Sequence, residues 1–126
     1  MSAPETRREG FVLSAETKGD IQLVSLSGSA SMEHTDDLRQ RLLELADGQS
    51  PRIALDLSGL IFVNSAALGA FIAAHRRCQQ RGGELCFINP RDAVTQVLRV
   101  TNLDRLISIF PDLKAAQAAL SKAKSR

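Results

Sequence analysis

The sequence predicts an α/β fold: a mixed, mostly parallel sheet of about five strands covered by about four helices, opened by an N-terminal β-hairpin. Three observations predict it. Apolar periodicity switches repeatedly between two and about three and a half residues along the chain. Gly, Pro and Asn fall at the switches, where turns and helix ends belong. The resulting order, β-β-α-β-α-β-α-β-α, alternates strand and helix after the opening pair, as successive βαβ units do.

Each element has its own signal. Phe11 to Ala15 reads as a weak strand, Gly19-Asp20 as a turn, and Ile21 to Ser27 as a firmer strand ending at Gly28. Two strands joined by a short Gly-containing loop make a hairpin. Ser29 to His34 is a polar loop, after which Thr35 is placed to cap a helix with Asp36 and Asp37 in its first turn, the favourable sign there. Leu38, Leu42 and Leu45 share one face of that helix, and Gly48 ends it. Pro51 leads into a central strand over Arg52 to Leu57, where Asp56, Ser58 and Gly59 fit a turn at the strand's end. A strong helix follows from about Ser65 to Arg81, with Leu68, Phe71, Ile72 and His75 on one face and Gly82-Gly83 as its stop. Glu84 to Ile88 is the next strand. Asn89-Pro90 starts a helix carrying Val94, Val97 and Leu98, Leu106 to Phe110 is a short strand, and Pro111 opens a last helix with Leu113, Ala116 and Leu120. Residues 1–10 read as a disordered lead, 11–120 as a single domain, and 121–126 as a frayed basic tail.

Composition narrows the function classes. The 126 residues are enough for one domain with a real core, and 44% hydrophobic with 24% charged residues is ordinary for a soluble globular protein. A formal net charge of +2 does not argue for nucleic acid. The short basic runs at Arg7-Arg8, Arg76-Arg77-Arg81 and Lys122-Lys124 have no interleaved aromatic platforms, so they read as solvated faces. No apolar run approaches the ~20 residues of a membrane span, and the polar N-terminus has no signal-peptide core, so a cytoplasmic location is expected. Cys78 and Cys86 match neither a redox motif nor a zinc site and read as buried free thiols. His34 and His75 lie in separate elements without metal-ligand spacing, and His75 falls on an apolar face, where a hydrogen-bonded core histidine is expected. No Gly-rich phosphate loop and no nucleophile elbow is present, so no catalytic residue, metal or cofactor is expected.

The most informative stretch is Ile53-Ala54-Leu55-Asp56-Leu57-Ser58-Gly59-Leu60-Ile61-Phe62-Val63-Asn64-Ser65-Ala66-Ala67-Leu68-Gly69. It resembles the STAS domains of bacterial anti-sigma-factor antagonists. There, a buried strand ends in an Asp-Leu-Ser-like turn, and a Phe-x-Asp-Ser-Ser/Thr-Gly-Leu-Gly motif opens the next helix. Gly82-Gly83-Glu84-Leu85 and Asn89-Pro90 also look like that family's pattern, and the resemblance extends over residues 11–120. It implies the STAS fold and a partner-switching role. The antagonist binds an anti-sigma factor that is itself a serine kinase of the histidine-kinase-like ATPase type, and so releases the sigma factor. Phosphorylation of the motif serine ends the binding and a phosphatase restores it. By position that serine is Ser65, with Asn64, Ala66 and Ala67 around it, and the loop residues Ser29, Ser31, Met32 and Glu33 as further contacts.

The residues themselves allow two readings of Ser65. A phosphate there would meet unpaired amides and the positive end of the helix dipole. A serine at that position also simply helps to start a helix. Three departures bear on the choice: Asn64 replaces the motif aspartate, Ala66 the second hydroxyl residue and Ala67 the glycine. Asn keeps the capping ability and loses the charge. Ala67 adds a methyl where a partner's backbone would approach. The alternative is a STAS scaffold in a stress-signalling or lipid-transport complex that binds without a serine switch. An enzyme would need turnover dependent on Asp56 or Ser65.

Overall fold

The computed structural model describes residues 6–8, 10–30 and 35–124. They form β1 (Thr6–Arg8), β2 (Phe11–Lys18), β3 (Ile21–Ala30), α1 (Thr35–Leu45), β4 (Arg52–Val63), α2 (Ser65–Gln80), β5 (Glu84–Ile88), α3 (Asp92–Val100), α4 (Leu103–Leu106), β6 (Ile109–Phe110) and α5 (Leu113–Lys124). The strands build one six-stranded sheet whose spatial order is the chain order. β1, β2 and β3 pair antiparallel, while β3–β4, β4–β5 and β5–β6 are parallel. The expected mixed sheet with its opening hairpin is therefore present, with one strand and one short helix more than the sequence suggests.

Alternation along the strands sorts side chains to two faces. Phe11, Leu13, Val24, Leu26, Ile53, Leu55, Leu85 and Phe87 point into the larger core, which α1 to α4 cover with residues such as Leu38, Leu42, Phe71, Val94, Leu98 and Leu103. Phe71 meets Phe87 edge-on, with ring centroids 5.4 Å apart. The opposite face carries Ile21, Ala54, Cys86 and Ile88 beneath Ala116 and Leu120 of α5. Arg52, only 8% exposed, fastens that helix by donating from Nε to the Leu120 carbonyl and from Nη1 to the Ser50 carbonyl.

Several boundaries differ from the sequence reading. The lead contributes a strand at Thr6–Arg8, because its backbone pairs with Phe11 to Leu13. Thr35, read as a cap, is the first residue of α1 and is buried. The largest correction is β4, which continues through Ser58 and Gly59 to Val63 instead of turning after Leu57. Between Ser25 and Ser27 of β3, β4 advances from Asp56 to Gly59, and between Gly28 and Ser29 it advances from Leu60 to Phe62. Each step gives β4 one residue more than its neighbour, which is a β-bulge. Asn89-Pro90 does not open α3, since Asn89 is left-handed, Arg91 is extended, and the helix begins at Asp92. Leu106 to Phe110 is mostly not strand: left-handed Asn102 restarts a helical turn, and only Ile109 and Phe110 pair with β5. Pro111 stays outside α5, where Asp112 accepts from the Ala115 amide, and the helix is described from Leu113 to Lys124.

The end of α2 matches expectation. Gly82 is left-handed, its amide donates to Gln79 and that of Gly83 to Cys78, closing a Schellman cap. Arg77 and Arg81 share Asp47 at 3.0 Å each, joining this end to the turn after α1. Those pairs are exposed and hold little energy. Gly83 matters more, because a Cβ there would lie 1.8 Å from the Pro51 carbonyl oxygen. Gly83→Ala must displace backbone, and urea denaturation is expected to show a loss of about 1–3 kcal/mol.

His75 is 3% exposed, and neither ring nitrogen makes a hydrogen bond of good geometry, the Leu85 backbone being its one weak polar neighbour. Burial holds its pKa below the usual 6.5, and Arg76 adds to this; the Leu85 backbone and the Glu84 carboxylate pull the other way. The folded chain therefore prefers the neutral ring. Below the unfolded pKa the unfolded chain binds the proton that the folded chain resists, so stability falls as pH drops from about 6.5. His75→Leu removes this component, and thermal unfolding between about pH 7 and 5 should show a shallower pH slope than in the parent.

Candidate functional site

The site assembles where parallel strands end and helices begin, the end of an α/β sheet at which ligands and partners usually dock. β3 and β4 run side by side to Ala30 and Val63, with Ser29 opposite Phe62. Asn64 then caps α2. Its extended backbone lets Oδ1 accept from the Ala67 amide at 2.8 Å, and its carbonyl accepts from Leu68 at 3.1 Å. Ser65 is the first helical residue and is exposed. Its own amide and that of Ala66 belong to the first turn, whose amides have no carbonyl behind them. No acidic side chain occupies that turn, so negative charge arriving on Ser65 meets the positive helix end without a competing carboxylate on α2.

The strand leading to Ser65 is held by specific contacts. The Asp56 carboxylate accepts from the Ser58 amide at 2.9 Å, which stabilises the first bulge. Arg91, ahead of α3, donates to the Ser58 carbonyl at 2.8 Å and ties the bulge to the β5–α3 connection. Gly59 passes so close to β3 that a Cβ would lie 2.7 Å from the Ser27 Cβ. Asp56 thus serves backbone geometry, as its position near a chain reversal suggested, though in a bulge and not in a turn.

The predicted site residues divide. Asn64, Ser65 and Ala66 come together at the start of α2, with Ser29 on the adjacent strand. Ala67 does not belong to the surface: it is 0% exposed and packs in the main core, so the methyl that replaces the motif glycine meets the protein's own interior and not a partner. Ser31, Met32 and Glu33 lie outside the described residues, as does His34. Sequence reasoning missed Ile61 and Phe62. Both are large apolar side chains, 62% and 52% exposed, immediately before the cap. In an unbroken run Leu60-Ile61-Phe62-Val63 nothing local distinguishes the outward pair from the inward one.

Burial pushes the Cys78 and Cys86 thiols up to about 12, each with a smaller contribution from Glu84, so both are protonated at neutral pH. No group of three or more His, Cys, Asp or Glu is placed to hold a metal ion among the described residues. No helix among them is long and apolar enough to cross a membrane.

Residues 13–109 match the family model described as "Mlab, STAS domain", a stretch that includes the bulged strand and α2. The chain belongs to the STAS domain family. An anti-sigma F factor antagonist of Paenibacillus polymyxa is 29% identical over 71% of this chain and 78% of that protein. A Thermotoga neapolitana protein named as a putative anti-sigma factor antagonist homolog is 31% identical, the match spanning 52% of this chain and 58% of that protein. The crystal structure of an anti-sigma factor antagonist from Mycobacterium paratuberculosis superposes with a TM-score of 0.78 at 25% identity, covering 96% of this chain and 99% of the other. In STAS terms, the bulged end of β4 and the capped start of α2 are the stretch that carries the motif.

The cap can be tested apart from function. Asn64→Ala leaves the Ala67 amide without its acceptor and should cost about 1 kcal/mol in urea denaturation, whereas Asn64→Asp should retain the stability.

Proposed function

We propose that this STAS domain is an anti-sigma-factor antagonist whose binding to a kinase-type anti-sigma factor releases the sigma factor and is switched off by phosphorylation of Ser65. The exposed hydroxyl of Ser65 at the start of α2 carries the reading. It is accessible to another protein, while the structure beneath it is a capped helix that a phosphate would not disturb. The names of the relatives support the same role. The partner is a cytoplasmic serine kinase of the histidine-kinase-like ATPase type, and a phosphatase resets the switch.

In the transfer step Ser65 Oγ attacks the γ-phosphorus of ATP. The bond from that phosphorus to the β,γ-bridging oxygen breaks, its electron pair leaves with ADP, and the hydroxyl proton passes to a base of the kinase. The product adds about −1.5 to −2 charges at the start of α2, where the side chains of Asn64, Ser65 and Ala66 carry none. Asn64 suits this outcome, because an aspartate there would stand beside the new phosphate. The docking surface comprises Ser29, Asn64, Ser65 and Ala66, extended by Ser31, Met32 and Glu33.

A second reading draws on Asn64 and Ala66, which stand where the motif has a carboxylate and a second hydroxyl: a STAS subunit that binds its partner with no serine switch. Incubation with ATP and a histidine-kinase-like serine kinase of the same genome that binds the chain, followed by intact-mass measurement, separates the two. One added phosphate, absent in Ser65→Ala, is expected. An unchanged mass despite tight complex formation would favour the unswitched subunit.

A further inference from the structure

We propose that Ile61 and Phe62 are the apolar anchor of the partner interface, and that their burial against the kinase is what makes phosphorylation of Ser65 incompatible with binding. This rests on the partner-switching reading and specifies how the same site is regulated. The observation is the exposure of two large apolar side chains at the end of a strand that otherwise buries its apolar residues. Leu60 and Val63, on either side, face the core. Ile61 faces outward by simple alternation after Leu60, and the second bulge, where β4 moves from Leu60 to Phe62 while β3 moves from Gly28 to Ser29, keeps Phe62 outward as well and returns Val63 to the core. Bulges next to functional sites commonly re-aim side chains in this way.

Position identifies the occupant. Phe62 stands opposite Ser29 and is separated from Ser65 only by Val63 and the cap Asn64, so whatever covers the pair also covers the hydroxyl. A single aromatic buries about 150–250 Å², and a stable interface takes about 800 Å² from each side. Ile61 and Phe62 therefore cannot form an interface alone. They need the polar ground around them, Ser29, Asn64, Ser65 and Ala66, as a rim. An apolar centre within a neutral polar rim is the usual anatomy of a protein–protein contact. The partner's complementary feature is an apolar pocket that receives Phe62, with Ser65 sealed at its margin.

That arrangement explains why a charge at Ser65 would act strongly. In a wet contact a phosphate keeps its water and is screened. Beside an apolar anchor the partner must strip that water away, and desolvating an unpaired anion is costly. The anchor thus converts a local charge into loss of the complex.

The test is a double-mutant cycle by calorimetry with the histidine-kinase-like serine kinase that the chain binds, using Phe62→Ser, Ser65→Glu and the pair. Ile61→Ser serves as a second probe of the anchor. Phe62→Ser should weaken binding more than about tenfold while lowering the unfolding temperature only modestly, since about half of the side chain is already in water. In that background the penalty of Ser65→Glu should shrink markedly, because the carboxylate is no longer sealed. Unchanged affinity in both Phe62→Ser and Ile61→Ser, with Ser65→Glu still disruptive, would overturn the anchor and leave the switch standing. Strict additivity would refute the sealing of Ser65 by Phe62. Loss of binding in Phe62→Ser with no effect of Ser65→Glu would uphold the anchor but remove its coupling to phosphorylation. A concentration-dependent dimer dissolved by Phe62→Ser would assign the pair to a second copy of the chain and overturn the proposal.

Discussion

The structure depends on β4 remaining hydrogen-bonded to β3 while carrying two more residues than its neighbour over the same span. Side chains alternate along a strand, so each extra residue moves the inward phase by one position. Ile53, Leu55 and Leu57 face the main core, then Leu60, then Val63. Without the bulges the inward positions would continue through Gly59 and Ile61, and Leu60 would lie on the opposite face. The bulges keep the core continuous to the last residue of the strand, and two apolar side chains are left outside.

Contacts that at first look incidental hold this register. Asp56 satisfies the amide freed at the first bulge, and Arg91 reaches across from the β5–α3 connection to the Ser58 carbonyl. Gly59 lets the strand pass against β3 where any side chain would collide. One polar side chain, one long cation and one missing side chain therefore place the end of β4, and with it the cap of α2. Asn64 then stabilises the helix start through the Ala67 amide, leaving Ser65 outermost. The core and these bonds fix the backbone beneath Ser65.

The replacements relative to the STAS motif take on different weights in this light. Asn64 performs the capping role that an aspartate would, without a charge next to Ser65. Ala66 is half-buried and lies at the margin of the surface. Ala67 is wholly interior, beside residues such as Leu68 and Phe71 of the same helix, so its methyl contributes to packing. His75 is a separate feature of the same helix. Its buried ring lacks a hydrogen bond of good geometry and resists protonation, which leaves α2 sensitive to acid away from Ser65.

The sequence by itself determined the order of the elements from β2 onward apart from the short α4, the βαβ rhythm, the Gly82-Gly83 stop of α2 and the position of Ser65 at a helix start. These are local properties, carried by periodicity, by capping chemistry and by residues that tolerate a left-handed backbone. Tertiary structure alone decided which members of Leu60 to Val63 face inward, that Ala67 points into the core, and that the apparent turn at Ser58-Gly59 is a bulge in a longer strand. The physical reason is that a run of apolar residues specifies burial but not phase. Phase is set by pairing with β3, a segment some thirty residues away in the chain, and by the space α2 leaves over the sheet.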